Sequence, residues 1–104
     1  MTRAEASALK VTVDYLGYIK GLIGVTQAEK IELKSEASVR DLLDMLAKKH
    51  GDSFRKAIYE SGNADLKSSF ILSVNGLLLN QLKGLDTKLK EDDQIVLMPI
   101  VSGG

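Results

Sequence analysis

The strongest helical period in this chain runs from Ser38 to Gly51, and no other segment matches its length. Val39, Leu42, Leu43, Leu46 and Ala47 recur at helical spacing and form one apolar stripe, with Arg40, Asp41, Asp44, Lys48 and Lys49 off it. Ser38 stands at the N-cap with Asp41 three residues on, the capping-box spacing. Lys48, Lys49 and His50 fill the last turn, where cations suit the helix dipole, and Gly51 follows as a left-handed terminator. His50 is therefore read as a surface or capping residue. A weaker helical turn follows, with Ser53 as its cap and Phe54 and Ile58 four apart. One main helix with one apolar stripe covers one face of one sheet, so the rest of the core must come from strands.

The strand signals fit that demand. Between Leu9 and Ile19, Leu9, Val11, Val13 and Tyr15 alternate with Lys10, Thr12 and Asp14, the period of a half-buried strand. Gly17, Gly21 and Gly24 then interrupt the pattern, and a second strand fits Glu29 to Lys34. These two strands read as a hairpin with an enlarged loop. After the helix, Ser61, Gly62, Asn63 and Asp65 mark a polar loop. Phe70 to Val74 reads as a strand closed by the turn pair Asn75-Gly76, with Leu77, Leu78 and Leu79 beyond it. Lys83 to Leu89 looks irregular, and Glu91, Asp92 and Asp93 form an acidic turn. Gln94 to Val101 is almost continuously apolar, the pattern of a strand covered on both faces or central in its sheet. The expected fold is α+β: a mixed sheet of four to five strands with one main helix on one face, and the last strand in the middle beside the first. Residues 1–8 read as a flexible N-terminal tail, 9–101 as one domain, and 102–104 as a flexible C-terminal tail.

Composition excludes several kinds of function. The chain has 104 residues, enough for one domain. It carries 14 Lys plus Arg against 14 Asp plus Glu, so no overall field draws nucleic acid or an anionic membrane. It has no cysteine, which removes disulfides, thiolate metal sites and a catalytic thiol. No apolar run reaches the roughly 20 residues of a membrane-spanning helix, and the polar start lacks a signal-peptide core. A cytoplasmic location is expected. With a single histidine, no metal-ligand spacing of carboxylates and no phosphate-binding glycine pattern, no metal, no bound cofactor and no enzymatic activity are expected. The three glycines after the first strand are a matter of loop geometry.

The chemistry concentrates at the end, Val101-Ser102-Gly103-Gly104. Two glycines make a thin, flexible segment able to thread into a narrow active site of another protein. The terminal carboxylate of Gly104 is then the reacting group. It becomes electrophilic only as a mixed anhydride, which an ATP-dependent adenylating enzyme can make. Sulfide or persulfide attack would give a thiocarboxylate; attack by a lysine amine would give an isopeptide. On the dipeptide alone, an idle end is the competing reading. At least one of Leu77, Leu78 and Leu79 should point outward, as an apolar patch for a partner, with closure of the core edge as the alternative. Pro99, Ile100 and Val101 would extend that patch. Pro99 lacks an amide donor and marks where the strand leaves the sheet.

Four segments together carry a family resemblance. LKVTVDYLGYIKGLIGV (9–25), SVRDLLDMLAKKHG (38–51), FILSVNG (70–76) and LDTKLKEDDQIVLMPIVSGG (85–104) resemble, in order, segments of the molybdopterin-synthase small subunit and its sulfur-carrier relatives. The resemblance implies a ubiquitin-like β-grasp fold and a carrier rather than a catalyst. It implies that an enzyme related to ubiquitin-activating proteins uses ATP to adenylate Gly104, which becomes a thiocarboxylate. It further implies docking on the larger synthase subunit, with Ser102 and Gly103 threaded into it, to supply sulfur for molybdenum-cofactor synthesis. Relatives with this fold and tail carry sulfur for thiamin or tRNA thiolation, or modify protein lysines.

Overall fold

The structure, a computed structural model, describes residues 8–17, 19–25, 27–58 and 70–99. The polar loop expected at Ser61 to Asp65, the tail 1–7 and residues 100–104 lie outside them.

Chain order is β1 (Ala8–Tyr15), α1 (Ile19–Ile23), β2 (Glu29–Lys34), α2 (Val39–His50), α3 (Asp52–Ile58), β3 (Phe70–Val74), β4 (Leu77–Leu78) and β5 (Gln94–Pro99). Two 3-10 turns, Leu79–Gln81 and Gly84–Asp86, lie between β4 and β5. The strands form one sheet in the order β2-β1-β5-β3-β4. Only β1 and β5 run parallel, from Thr12↔Gln94 to Tyr15↔Leu97. The remaining pairs are antiparallel. This is the mixed α+β sheet expected, with the last strand central.

The core lies between α2 and one face of the sheet. Val39, Leu42, Leu43, Leu46 and Ala47 are buried from the helix side. Val11, Val13 and Tyr15 of β1, Leu72 and Val74 of β3, and Ile95 and Leu97 of β5 meet them. The capping box is complete: Asp41 N donates to Ser38 Oγ at 3.2 Å, and Ser38 N donates to Asp41 Oδ2 at 2.9 Å. Asn75 and Gly76 both hold positive φ, 53° and 86°, which is what the tight turn joining β3 to β4 requires.

Several elements differ from the sequence reading. The first strand opens at Ala8 and stops at Tyr15; Ile19 instead begins a five-residue helix, α1, and is fully buried in it. The glycine-interrupted stretch is thus partly helical, because Ile19 gains more by turning back into the core than by extending the edge of β1. Gly51 has the expected positive φ, but its ψ of −161° is not left-handed helix. Its N–H donates to Ala47 O and its carbonyl accepts from Arg55 N, so one residue ends α2 and opens α3. Ser53 accordingly lies inside the first turn of α3 rather than at its cap. The stretch Lys83 to Leu89 is ordered by local bonds: Thr87 Oγ1 donates to Gly84 O at 2.7 Å. Its carbonyls serve α2, since Val39 N donates to Thr87 O at 2.9 Å. Finally, β5 is central but covered on one face only. Ile95 and Leu97 are buried, while Val96 and Met98 are half-buried on the other face.

Candidate functional site

Because β1 and β5 run parallel, both finish at the same end of the sheet. Leu16 N, one residue past β1, donates to Leu97 O at 3.0 Å and continues the ladder toward that end. On the other flank of β5, Phe70 is the register partner of Pro99. The expected tail residues Ser102, Gly103 and Gly104 thus follow from the middle of the sheet, and their own positions lie outside the described residues, as do Ile100 and Val101. Pro99 is the last described residue of β5, half-buried and still paired in the sheet.

The three leucines after the Asn-Gly turn divide. Leu77 and Leu78 are 46% and 39% exposed, and Leu79 packs against the core. Leu77 pairs with Val74 and Leu78 with Ser73, and these pair with Ile95 and Val96, well before Pro99 along β5. The leucines therefore do not adjoin Pro99 directly. The register supplies the link. Ser73, Val96 and Leu78 share the sheet face turned away from α2, and so do Ile71 and Met98 one pleat nearer Pro99. Leu16 follows Tyr15 just past the end of β1, bonded through its N–H to Leu97 O, and is 43% exposed. Ile71, Val96 and Met98, with Leu16 just past β1 and Leu78 on β4, give the open face an apolar character toward the end of β5, bordered by Asp14 beside Val96 and interrupted by Ser73 between Val96 and Leu78. The sequence reading found only Leu78 of these five apolar residues. The signal was present: β5 is apolar in both phases of its alternation, and one phase is left uncovered when a chain has a single main helix.

A polar cluster lies where β1 finishes and β2 begins, at the same end of the sheet. Glu29, at the start of β2, accepts at Oε1 from Tyr15 Oη (2.6 Å) and His50 Nε2 (2.8 Å), and at Oε2 from Lys49 Nζ (2.8 Å). A carboxylate only accepts, so Nε2 carries the imidazole proton. Burial alone would raise the Glu29 pKa, but the bonds from Lys49, Tyr15 and His50 outweigh it and hold it at about 2. Burial, then the bond and charge of Glu29, push the Tyr15 phenol well above its ordinary range. The His50 side chain is 9% exposed and packs near Tyr15 and Phe54, with ring centroids at 6.3 and 5.9 Å. His50 is thus an internal tie between α2 and the sheet, not a surface cap. Its place in the last turn says nothing of the carboxylate that β2 brings to it across the fold.

The acidic turn is structural too. Asp93, 8% exposed, accepts from Asn75 Nδ2 (2.8 Å) and Lys90 N (2.8 Å), while Asn75 Oδ1 accepts from Gln94 N. Asn75 therefore shapes its own turn and clamps the start of β5. Among the described residues, no group of three or more His, Cys, Asp or Glu side chains could hold a metal ion. No helix among them is long and apolar enough to cross a membrane.

The arrangement leaves an exposed face rich in apolar residues beside the last described residues of β5, while Glu29, Tyr15, His50 and Lys49 satisfy one another. The family model described as the ThiS family matches residues 13–104. The chain belongs to the ThiS family. Its fold is the ubiquitin-like β-grasp, and the family is one of sulfur carriers and ubiquitin-like proteins, small carriers rather than catalysts. A Pyrococcus furiosus protein assigned as molybdopterin converting factor subunit 1 is 32% identical, covers 89% of this chain and 99% of its own, and superposes with a TM-score of 0.71. Small archaeal modifier protein 1 from Methanosarcina acetivorans is 29% identical over 93% of this chain and 98% of its own, with a TM-score of 0.75. Urm1 from Trypanosoma brucei, 15% identical over all of both chains with a TM-score of 0.75, shares the fold. A comparison with curated proteins gives no match.

Proposed function

We propose that this protein is a sulfur carrier for molybdopterin synthesis, working through the carboxylate of Gly104. An adenylating partner joins that carboxylate to the α-phosphate of ATP and releases pyrophosphate. Sulfide then displaces AMP and leaves a C-terminal thiocarboxylate directly; a persulfide displacing AMP instead leaves an acyl disulfide, whose S–S bond a second thiol cleaves, releasing the thiocarboxylate and a disulfide. The carrier docks by its open apolar face on a larger synthase subunit and presents Gly104 to the pterin precursor, with Ser102 and Gly103 as the thin part of the tail. The observation that supports this reading is the apolar character that Leu16, Ile71, Val96, Met98 and Leu78 give the open face toward the end of β5, the strand that leads into the tail. The likeness to the Pyrococcus furiosus protein favours molybdopterin synthesis as the destination.

A second reading, conjugation of Gly104 to lysine side chains, is favoured by the likeness to small archaeal modifier protein 1. Both readings need activation and differ in the nucleophile that follows. Protein purified from its native host is treated with a thiol-alkylating reagent and the label is mapped. With no cysteine in the chain, a thiocarboxylate is the thiol-like nucleophile to be found. Label at Gly104 is the expected result. Gly104 joined to lysines, with no label, moves the assignment to the modifier, and neither product overturns both.

A further inference from the structure

Gly17 lies against Pro99. A Cβ built on Gly17 would sit 2.9 Å from Pro99 Cγ and 3.0 Å from its Cδ, closer than a real side chain allows. Both residues are held from behind. Leu16 N is bonded to Leu97 O, Gly17 O accepts from Lys20 N at 3.3 Å, and Ile19 is fully buried. Gly17 cannot easily retreat from the ring. Pro99, in turn, has no N–H with which to continue the ladder, so on the β1 side the ring's contact with Gly17 takes the place of a hydrogen bond. The φ of Gly17, +77°, is the left-handed conformation that turns the chain out of β1. The bare Cα is thus a seat for the proline ring at the last described residue of β5.

We infer that Gly17 is a positioning residue for the C-terminal tail: by seating Pro99, it sets the direction in which residues 100–104 leave the sheet and so the aim of the Gly104 carboxylate. This rests on the proposed carrier function. The seat acts on the aim of the tail and not on the docking face, so its loss should lower the turnover of adenylation while the carrier still binds.

The test compares Gly17→Ala with Gly24→Ala. Gly24 has nearly the same φ, +76°, but nothing within 4 Å of an added Cβ, so it carries the backbone strain without the contact. Pyrophosphate exchange by the host's adenylating enzyme is measured with each carrier. Gly17→Ala is expected to lower kcat on the order of tenfold or more with KM little changed, since a misplacement near 1 Å can cost two decades. Gly24→Ala should match the unsubstituted protein in both. Adding Pro99→Ala to Gly17→Ala removes the ring and should return kcat to the level of Pro99→Ala alone. Equal effects at Gly17 and Gly24, or additive effects of Gly17→Ala and Pro99→Ala, overturn the inference. A second readout is independent of activation. A nitroxide on Ser102→Cys, the one thiol in such a chain, broadens amide signals near the tail; that pattern should move with Gly17→Ala and not with Gly24→Ala. If the unsubstituted protein is never adenylated, the proposed function fails, and the nitroxide pattern alone decides the role of Gly17.

Discussion

Glu29 shows how a single side chain ties strand to helix. Its carboxylate is 12% exposed, an environment that disfavours charge, yet three donors converge on it from β1 and the end of α2. Its pKa of about 2 against an ordinary 4.5 means that folding favours the ionised form. That contribution is complete above about pH 4.5 and is lost as pH falls toward 2. Glu29→Gln keeps the shape but weakens the bonds, and should cost about 1–3 kcal/mol at neutral pH. Urea unfolding at a series of pH values checks this: the gap between the two proteins should close as the pH approaches 2. Tyr15 gives the opposite limb. Its phenol is held protonated when folded, so its contribution is present below its ordinary value of 10.0 and is lost as pH rises above it. Tyr15→Phe should flatten the alkaline fall of stability, and an unchanged fall would mean that other groups govern it.

At the scale of elements, the helix α2 was the most legible part of the sequence because its signals are local. Its cap, stripe and terminator all lie within the segment they describe. Ser38→Ala removes the acceptor for Asp41 N and should cost about 1 kcal/mol, a fall of roughly 4–8 °C in melting temperature for a domain of this size. Restoring the acceptor with Ser38→Thr should recover most of it. The strands were legible for the same reason, and so was the Asn75-Gly76 turn. What local pattern does not carry is what arrives from elsewhere in the chain. His50 looked like a dipole-matched cap because Glu29, which fixes its place, is 21 residues away. The glycines after β1 looked like loop because the gain of burying Ile19 depends on the core beneath it. The open face was missed because a continuous apolar run fits both a strand covered on two faces and a central strand, and β5 is the second: central, with one main helix covering only one of its faces. Asn75 was read for its backbone, while its side chain also clamps Asp93 and Gln94.

At the scale of the whole molecule, the proposed function assigns two tasks to two parts of the fold. The face away from α2 carries the apolar patch, and the end of β5 carries the tail, so binding and presentation can be disturbed one at a time. Met98 lies near the middle of the patch, half-buried, with Ile71 as its register partner. A charge at this half-buried position, away from α2, keeps part of its hydration in the free protein, so Met98→Glu should cost about 1 kcal/mol. In a complex the same carboxylate would be enclosed without a partner, a cost of roughly 2 kcal/mol or more at a well-packed centre. The expected outcome is a KM for the adenylating partner raised on the order of tenfold or more, with kcat nearly unchanged and the melting temperature only modestly lowered. Leu78→Glu, farther from the tail, should act in the same direction and more weakly. Gly17→Ala should do the reverse, lowering kcat and sparing KM. Titration of all three against one activating enzyme therefore tests the division itself: if Met98→Glu lowers kcat and leaves KM alone, the patch is not where the partner binds, and the tail would have to supply the docking energy as well as the chemistry.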